Sequence, residues 1–369
     1  MKTAIGLMSG TSMDGIDAAL VRTDGRKAVQ MGVSLEMPYK PATRKRIEAA
    51  LEEAKAINKR NERPGCIADL EMELTDLHAE ATFALLEKAT LTPDEVDLIG
   101  FHGQTVLHRP DDALTVQIGD GQALAQMTGI DTVFDMRAAD MVSDGQGAPL
   151  VPVFHQALAA GLDLEAPVAF VNIGGISNIS YVDGDTLIAF DCGPGNALID
   201  QWVQSGAGVP FDQGGSIASE GGVLSSVVER YLTSPFFKLD SPKSLDRLDF
   251  PALEQGAAGL HDGARTLAHV TAKAIHRSVE HLPSRPKTWI LCGGGRLNPS
   301  IVGDLAALAD VDGAAVKLAD SFGLDGNMLE AQAFAYLAVR SVEGLPLTFP
   351  TTTGCIEPVT GGILAKAAR

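Results

Sequence analysis

Apolar positions in this chain come in short runs broken by glycine-bearing turns, and the period of the runs changes along the sequence. At the start, Ala4–Met8, Ile16–Arg22 and Met31–Glu36 read as three strands in quick succession. Helical spacing follows over Thr43–Ile57 and over Ile67–Leu91, the latter carrying Leu70, Leu74, Leu77 and Leu85. Two more strands are expected at Val96–Phe101, ending in His102-Gly103-Gln104-Thr105, and at Leu114–Ile118, ending in Gly119-Asp120-Gly121. The pattern then restarts. Val168–Ile173, Ile179–Val182 and Thr186–Phe190 repeat the opening triplet, joined by Gly174-Gly175 and Asp183-Gly184-Asp185. A helix over Ala264–His281, a strand at Thr288–Cys292, a helix opened by Asn298 or Pro299 and a last long helix over Asn327–Val342 complete the second half. An irregular tail rich in Thr, Pro and Gly ends the chain, and Ser143–Pro152 is the expected crossing loop between the halves. Strands alternating with helices predict an α/β fold in two halves.

The turn after the first strand holds the densest chemistry. Ser9, Gly10, Thr11 and Ser12 gather backbone N–H groups and three hydroxyls, and Gly10 lets a phosphate approach the backbone without a Cβ in the way. Asp14 and Asp17 follow. As direct phosphate ligands they would repel, but a hydrated Mg²⁺ standing between carboxylate and phosphate suits them. The same residues also fit an ordinary hairpin with Asp14-Gly15 as its turn, and the two readings are compatible.

Charge narrows the partners. With 29 basic against 47 acidic residues, a net −18, the 369-residue chain lacks the basic surface that nucleic acid or an anionic membrane demands, so any phosphate must be met locally. No apolar run approaches the ~18–20 residues that span a bilayer, and no leader pattern opens the chain, so a cytoplasmic protein without a membrane partner is expected. Cys66, Cys192, Cys292 and Cys355 lie far apart with no C-x-x-C pair, which favours free thiols over a zinc knuckle or disulfide scaffold.

Three further glycine turns sit at expected strand ends. Phe190-Asp191-Cys192-Gly193-Pro194-Gly195-Asn196 puts a carboxylate before two glycines and a helix start, where N–H groups face an anion; a turn-stabilising Asp reads the same way. Gly174-Gly175 and Gly293-Gly294-Gly295 carry no reactive side chain and suit close backbone approach to a flat or phosphorylated ligand, or a plain strand-to-helix turn. Neither a G-x-x-x-x-G-K-[ST] nor a G-x-G-x-x-G after the first strand is present, which disfavours P-loop and Rossmann nucleotide sites. His102, with Gly103, Gln104 and Thr105 beside it, is a candidate sugar contact or a satisfied strand-end histidine. His108, His155, His269 and His276 lack such company and read as structural.

As a set, Leu7 to Asp17, Phe101 to Thr105, Gln117-Ile118-Gly119, Gly145 to Pro152, Asn172 to Gly175, Phe190 to Asn196 and Met328 to Ala335 resemble, in order and spacing, the anhydro-N-acetylmuramic acid kinases. The resemblance covers essentially the whole chain. It implies a place in the sugar-kinase/Hsp70/actin superfamily, with two duplicated actin/hexokinase-like (ribonuclease H-like) domains around a central ATP cleft. The domains are expected at 1–128 with a returning tail at 350–369, and at 129–349. The implied reaction opens 1,6-anhydro-N-acetylmuramic acid with water and phosphorylates the freed O6 from ATP, yielding N-acetylmuramic acid 6-phosphate in peptidoglycan recycling, with a homodimer as the family expectation.

Carried over by position, Gly10, Thr11, Ser12, Met13, Asp14, Gly15, Ile16 and Asp17 form the first phosphate loop, joined at the nucleotide by Gly174, Gly175, Gly193, Gly293, Gly294 and Gly295. Asp191 becomes the catalytic base, His102, Gln104, Thr105 and Glu330 the sugar contacts, and Asp14 and Asp17 the carboxylates for Mg²⁺. Glu330 also reads as a solvent-exposed residue of a long helix. One departure stands out: the aspartate usual in the superfamily's first strand is Leu7 here, so metal must be met elsewhere. Two other readings remain open on the residues alone, an ordinary hexose or N-acetylhexosamine kinase in which Asp191 deprotonates the sugar hydroxyl, and a non-catalytic nucleotide-gated interaction protein.

Overall fold

The three opening runs form an antiparallel meander, β1 (Lys2–Ser9), β2 (Gly15–Thr23) and β3 (Val29–Pro38), in a computed structural model that describes residues 1–10, 13–245 and 249–368. β4 (Leu98–Arg109) lies parallel to β1, β5 (Leu114–Ile118) folds back on β4, and β6 (Thr132–Phe134) runs parallel to β4 on its other side. The C-terminal strand Ile363–Ala365 closes this seven-stranded sheet beside β6. The tail expected to be irregular thus supplies an edge.

The second sheet has five strands, β7 (Val168–Ile173), β8 (Ile176–Asp183), β9 (Thr186–Pro194), β10 (Thr288–Cys292) and β11 (Ala315–Leu318). Its order, β11-β10-β7-β8-β9, repeats β6-β4-β1-β2-β3 of the first, with the same antiparallel meander and the same parallel additions. The duplication expected from the restarting pattern is present in the strand order.

The chain divides into two compact units, Met1–Gly161 with Met328–Arg369, and Leu162–Asn327. The first unit therefore runs past residue 128 and takes the chain back at 328, not at 350. Packing explains the shift. Helix Leu329–Val342 is buried on almost every side and lies across β1 and β4, while Phe154 of helix Pro152–Gly161 meets its Tyr336, ring centroids 5.4 Å apart. Backbone contact makes that seat possible: a Cβ on Gly6 would stand 1.7 Å from the carbonyl oxygen of Ala331, and one on Gly100 1.9 Å from that of Phe334.

Two expected strand ends are instead bulges. Leu7 pairs with Phe101 but Ser9 with Gln104, so His102 and Gly103 oppose a single residue and β4 continues to Arg109, with Gly103 at φ +72°. In β9, Asn178 pairs with Asp191 and Ser177 with Gly193, which leaves Cys192 as the extra residue. Both bulges fall at the motifs singled out for chemistry. An inserted residue re-aims its neighbours, a use bulges commonly serve beside active sites.

Candidate active site

In the first unit, β1 and β2 are joined by the turn expected to meet phosphate. Met13 sits at φ 55° with its N–H donating to Gly10 O at 3.2 Å, and Gln104 Nε2 donates to the same carbonyl at 3.2 Å. Ser9 Oγ donates to Gly103 O at 3.0 Å. The loop is thus tied to the β4 bulge from both sides. Thr11 and Ser12 lie outside the described residues. Gly15 and Ile16 are buried at the start of β2, where Gly15 pairs with Pro38, so their contribution is to place the turn.

Asp14 is exposed and Asp17 half-buried on β2 opposite Met8. Both act electrostatically on Tyr39, whose hydroxyl is pushed up to about 12, first by burial and then by these two carboxylates. Among the described residues no cluster of three or more His, Cys, Asp or Glu is arranged to hold a metal. Two carboxylates sharing one locality fit a Mg²⁺ that keeps most of its waters and takes its other ligands from phosphate; they do not make an all-protein cage.

The sugar contacts expected around His102 have a different arrangement from a row of free polar groups. His102 is 6% exposed; its Nδ1–H donates to Gly103 O at 2.6 Å, and Nε2 accepts from Arg137 Nε at 3.2 Å and Nη2 at 3.1 Å. Burial, with the Arg137 charge added, holds the ring neutral, its pKa well below the usual histidine value. Gln104 is buried under the loop, and Thr105 Oγ1 accepts from Gln117 Nε2 at 3.2 Å. All three side chains are held by hydrogen bonds within the fold, and His102 also lines a cavity.

Glu330 is half-buried in the first turn of helix Leu329–Val342, so the solvent-exposed reading is corrected. Burial pushes its carboxyl up, offset in part by the Arg137 guanidinium. Arg137 carried no signal in the sequence. Its third anchor is Gly147 O, which accepts from Nη1 at 2.7 Å, while Asp140 Oδ2 accepts the Gly147 N–H at 2.6 Å and so holds that loop. A polar cavity of about 270 Å³ opens beside His102, lined by Arg60, Arg63, Gln117 and Asp135 among others.

In the second unit, three glycine turns gather at one end of the sheet around Asn196. Gly174 and Gly175 link β7 to β8, and their carbonyls accept the N–H groups of Gly195, Asn196 and Ala197 at 2.7–3.2 Å. The helix start expected to offer those N–H groups to an anion has therefore spent them within the fold. Gly193, at φ +148°, packs in β9 with a Cβ position 2.8 Å from the Ala274 methyl. Gly293, at φ +74°, begins the turn that continues through Gly294 and Gly295, and Gly295 would meet Asn196 Oδ1 at 3.1 Å if it bore a Cβ. Arg296, unsignalled in the sequence, supports this turn: Nη1 donates to Gly293 O at 3.0 Å and Nε to Asp320 Oδ2 at 2.7 Å.

Asp191 stands at the β9 bulge. Its N–H donates to Lys243 O at 2.9 Å, and its Oδ2 accepts the N–H of Leu245 at 2.8 Å. Burial pushes its carboxyl up to about 7, with the Leu245 N–H pulling the other way. A carboxylate so tuned can take a proton at neutral pH and release it again.

A family profile described as anhydro-N-acetylmuramic acid kinase matches residues 2–367. An anhydro-N-acetylmuramic acid kinase of Agrobacterium fabrum (strain C58 / ATCC 33970) is 56% identical over 370 residues, spanning 100% of this chain and 99% of the relative. One from Rhizobium etli (strain ATCC 51251 / DSM 11541 / JCM 21823 / NBRC 15573 / CFN 42) is 55% identical over 367 residues, 99% of each. Among solved structures, a ROK family glucokinase from Streptomyces griseus in complex with glucose and AMPPNP superposes with a TM-score of 0.42 at 14% identity, covering 91% of this chain and 99% of that one.

Proposed function

The chain belongs to the anhydro-N-acetylmuramic acid kinase family, and from that membership we propose that Asp191 is the base of a coupled ring opening and phosphoryl transfer. The observation that carries this reading is the raised carboxyl of Asp191, held at a bulge by one N–H. Water attacks C1 of the anhydro sugar as Asp191 takes its proton, and the bond from C1 to the bridging oxygen breaks. That oxygen, now O6, attacks the γ-phosphorus of ATP, ADP leaves, and Asp191 gives its proton to solvent. The products are the sugar 6-phosphate, ADP and one proton. Oxocarbenium character at C1 makes a carboxylate base sufficient.

Positioning and charge neutralisation meet the rest of the demand. The Gly10 to Asp17 turn and the glycine turns at Gly174, Gly193 and Gly293–Gly295 serve the nucleotide. Asp14 and Asp17 would hold Mg²⁺, which would neutralise phosphate charge there. Glu330 meets the sugar, with His102 and Arg137 aligned behind it. Exhaustive chelation is expected to abolish turnover and added Mg²⁺ to restore it, measured as ADP release; full activity without divalent cation would remove the metal from the scheme.

Solvent oxygen separates this reaction from that of a plain hexose kinase. A brief reaction in ¹⁸O-water is expected to place label at the anomeric hydroxyl and none in the bond between O6 and phosphorus. The 6-phosphate incubated alone for the same time corrects for exchange by ring opening. An anomeric position no richer than that control, or label bridging O6 and phosphorus, would overturn the proposed order of bond breaking.

A further inference from the structure

β9 is the edge strand of its sheet, and the segment that lies along it at Asp191 is bolted down by an unusual side chain. Lys243 is 6% exposed. Its ammonium donates to Phe236 O at 3.4 Å and to Leu239 O at 3.2 Å, and lies 2.9 Å from His281 Nε2, a nitrogen that also stands 3.2 Å from Phe237 O. It also lies over the Phe236 ring, 4.7 Å from the centroid, and near that of Phe190, at 5.7 Å. None of these partners is a carboxylate. A methionine would fill an aromatic-walled slot without the desolvation cost that pulls this lysine's pKa down.

What the ammonium provides, and an apolar side chain would not, is a directional anchor. The backbone of the same residue accepts the Asp191 N–H, and two residues on, Leu245 donates to the Asp191 carboxylate. Side chain and main chain of Lys243 thus join the turn Pro235–Lys238 and His281 to the Asp191 carboxylate, whose N–H donor Leu245 is two residues further along the strap.

We propose that Lys243 is the positioning residue of Asp191, holding the 243–245 strap so that the Leu245 N–H stays on the carboxylate. The inference rests on the reading of Asp191 as base. Lys243→Met in the full chain is expected to lower kcat by roughly 10- to 100-fold with the KM of sugar and of ATP nearly unchanged. Because the Leu245 N–H favours the ionised carboxylate, loosening it should also move the acidic limb of kcat/KM upward by about one pH unit. Cys192 beside Asp191, Arg277, Glu280 and His281 from the neighbouring segment and Asp240 from the strap's own loop also face Lys243, and Lys243→Met changes none of these residues.

His281→Leu removes one polar contact of the ammonium and is expected to give the same limb movement at smaller amplitude; it decides the matter if Lys243→Met does not fold. A folded variant with an unmoved limb, whatever its kcat, would reduce Lys243 to a structural role and overturn the proposal. Failure of the underlying reading has a different signature, full turnover in Asp191→Asn, whatever Lys243 variants do.

Discussion

Asp191→Asn is expected to lower kcat by roughly 10²- to 10⁴-fold while leaving sugar and ATP binding near normal, and at alkaline pH to make the protein more stable. The amide keeps an oxygen for the Leu245 N–H but has no basicity. The stability gain follows from the raised carboxyl. In the folded chain Asp191 holds its proton up to about 7, against an ordinary value of 3.8, so between those values the unfolded chain binds fewer protons than the folded one. Stability from this group is present in full below the lower value and is lost as pH rises to the upper. Above it the wild type carries the whole cost of a buried charge, roughly 2–4 kcal/mol, and the variant does not. Thermal melts should therefore place the variant above the wild type at pH 8 and level with it near pH 4. Calorimetry showing intact binding together with intact turnover would make Asp191 a turn residue and defeat the mechanism.

The second large effect concerns the seat of helix Leu329–Val342. Gly6→Ala would put a Cβ 1.7 Å from the Ala331 carbonyl oxygen and 2.6 Å from the Ala335 nitrogen, both backbone atoms that no rotamer change can move aside. The helix must lift from β1, opening contacts along the whole sheet face. The expected loss is about 3–5 kcal/mol, enough to drop Tm by about 10 °C or more. Glu330 rides on the first turn of that helix, so a surviving folded fraction should also show a raised KM for the sugar. A melting curve matching the wild type would mean the helix and strand are not in backbone contact.

Much of this was legible beforehand because it rests on local signals. The two strand triplets show as period changes and turn residues, and both lie where the pattern put them, while the Asp191 motif, read as a strand end, proved to be a bulge within β9. What escaped has long-range causes. A bulge is a mismatch of register between two strands, and His102-Gly103 looks like a strand end until Leu7 and Ser9 are seen opposite Phe101 and Gln104. Arg137, Arg296 and Lys243 stand in no motif; each matters because the fold brings a ring nitrogen or a carboxylate to it from elsewhere in the chain. The unit boundary at 161 and 328 was likewise hidden, since glycines at 6 and 100 announce close approach without saying what approaches.

The seat of that helix also sets an order of events on the ribosome. β1 and β4 are made within the first 109 residues, but the helix that covers them is not complete until residue 342. At typical synthesis rates the nascent chain must carry that uncovered glycine floor for on the order of ten seconds or more. Leu162–Asn327 is contiguous and emerges whole in the meantime, free to fold first. A chain stopped near residue 327 would release one finished unit attached to one without its cover, a natural client for chaperones and proteases.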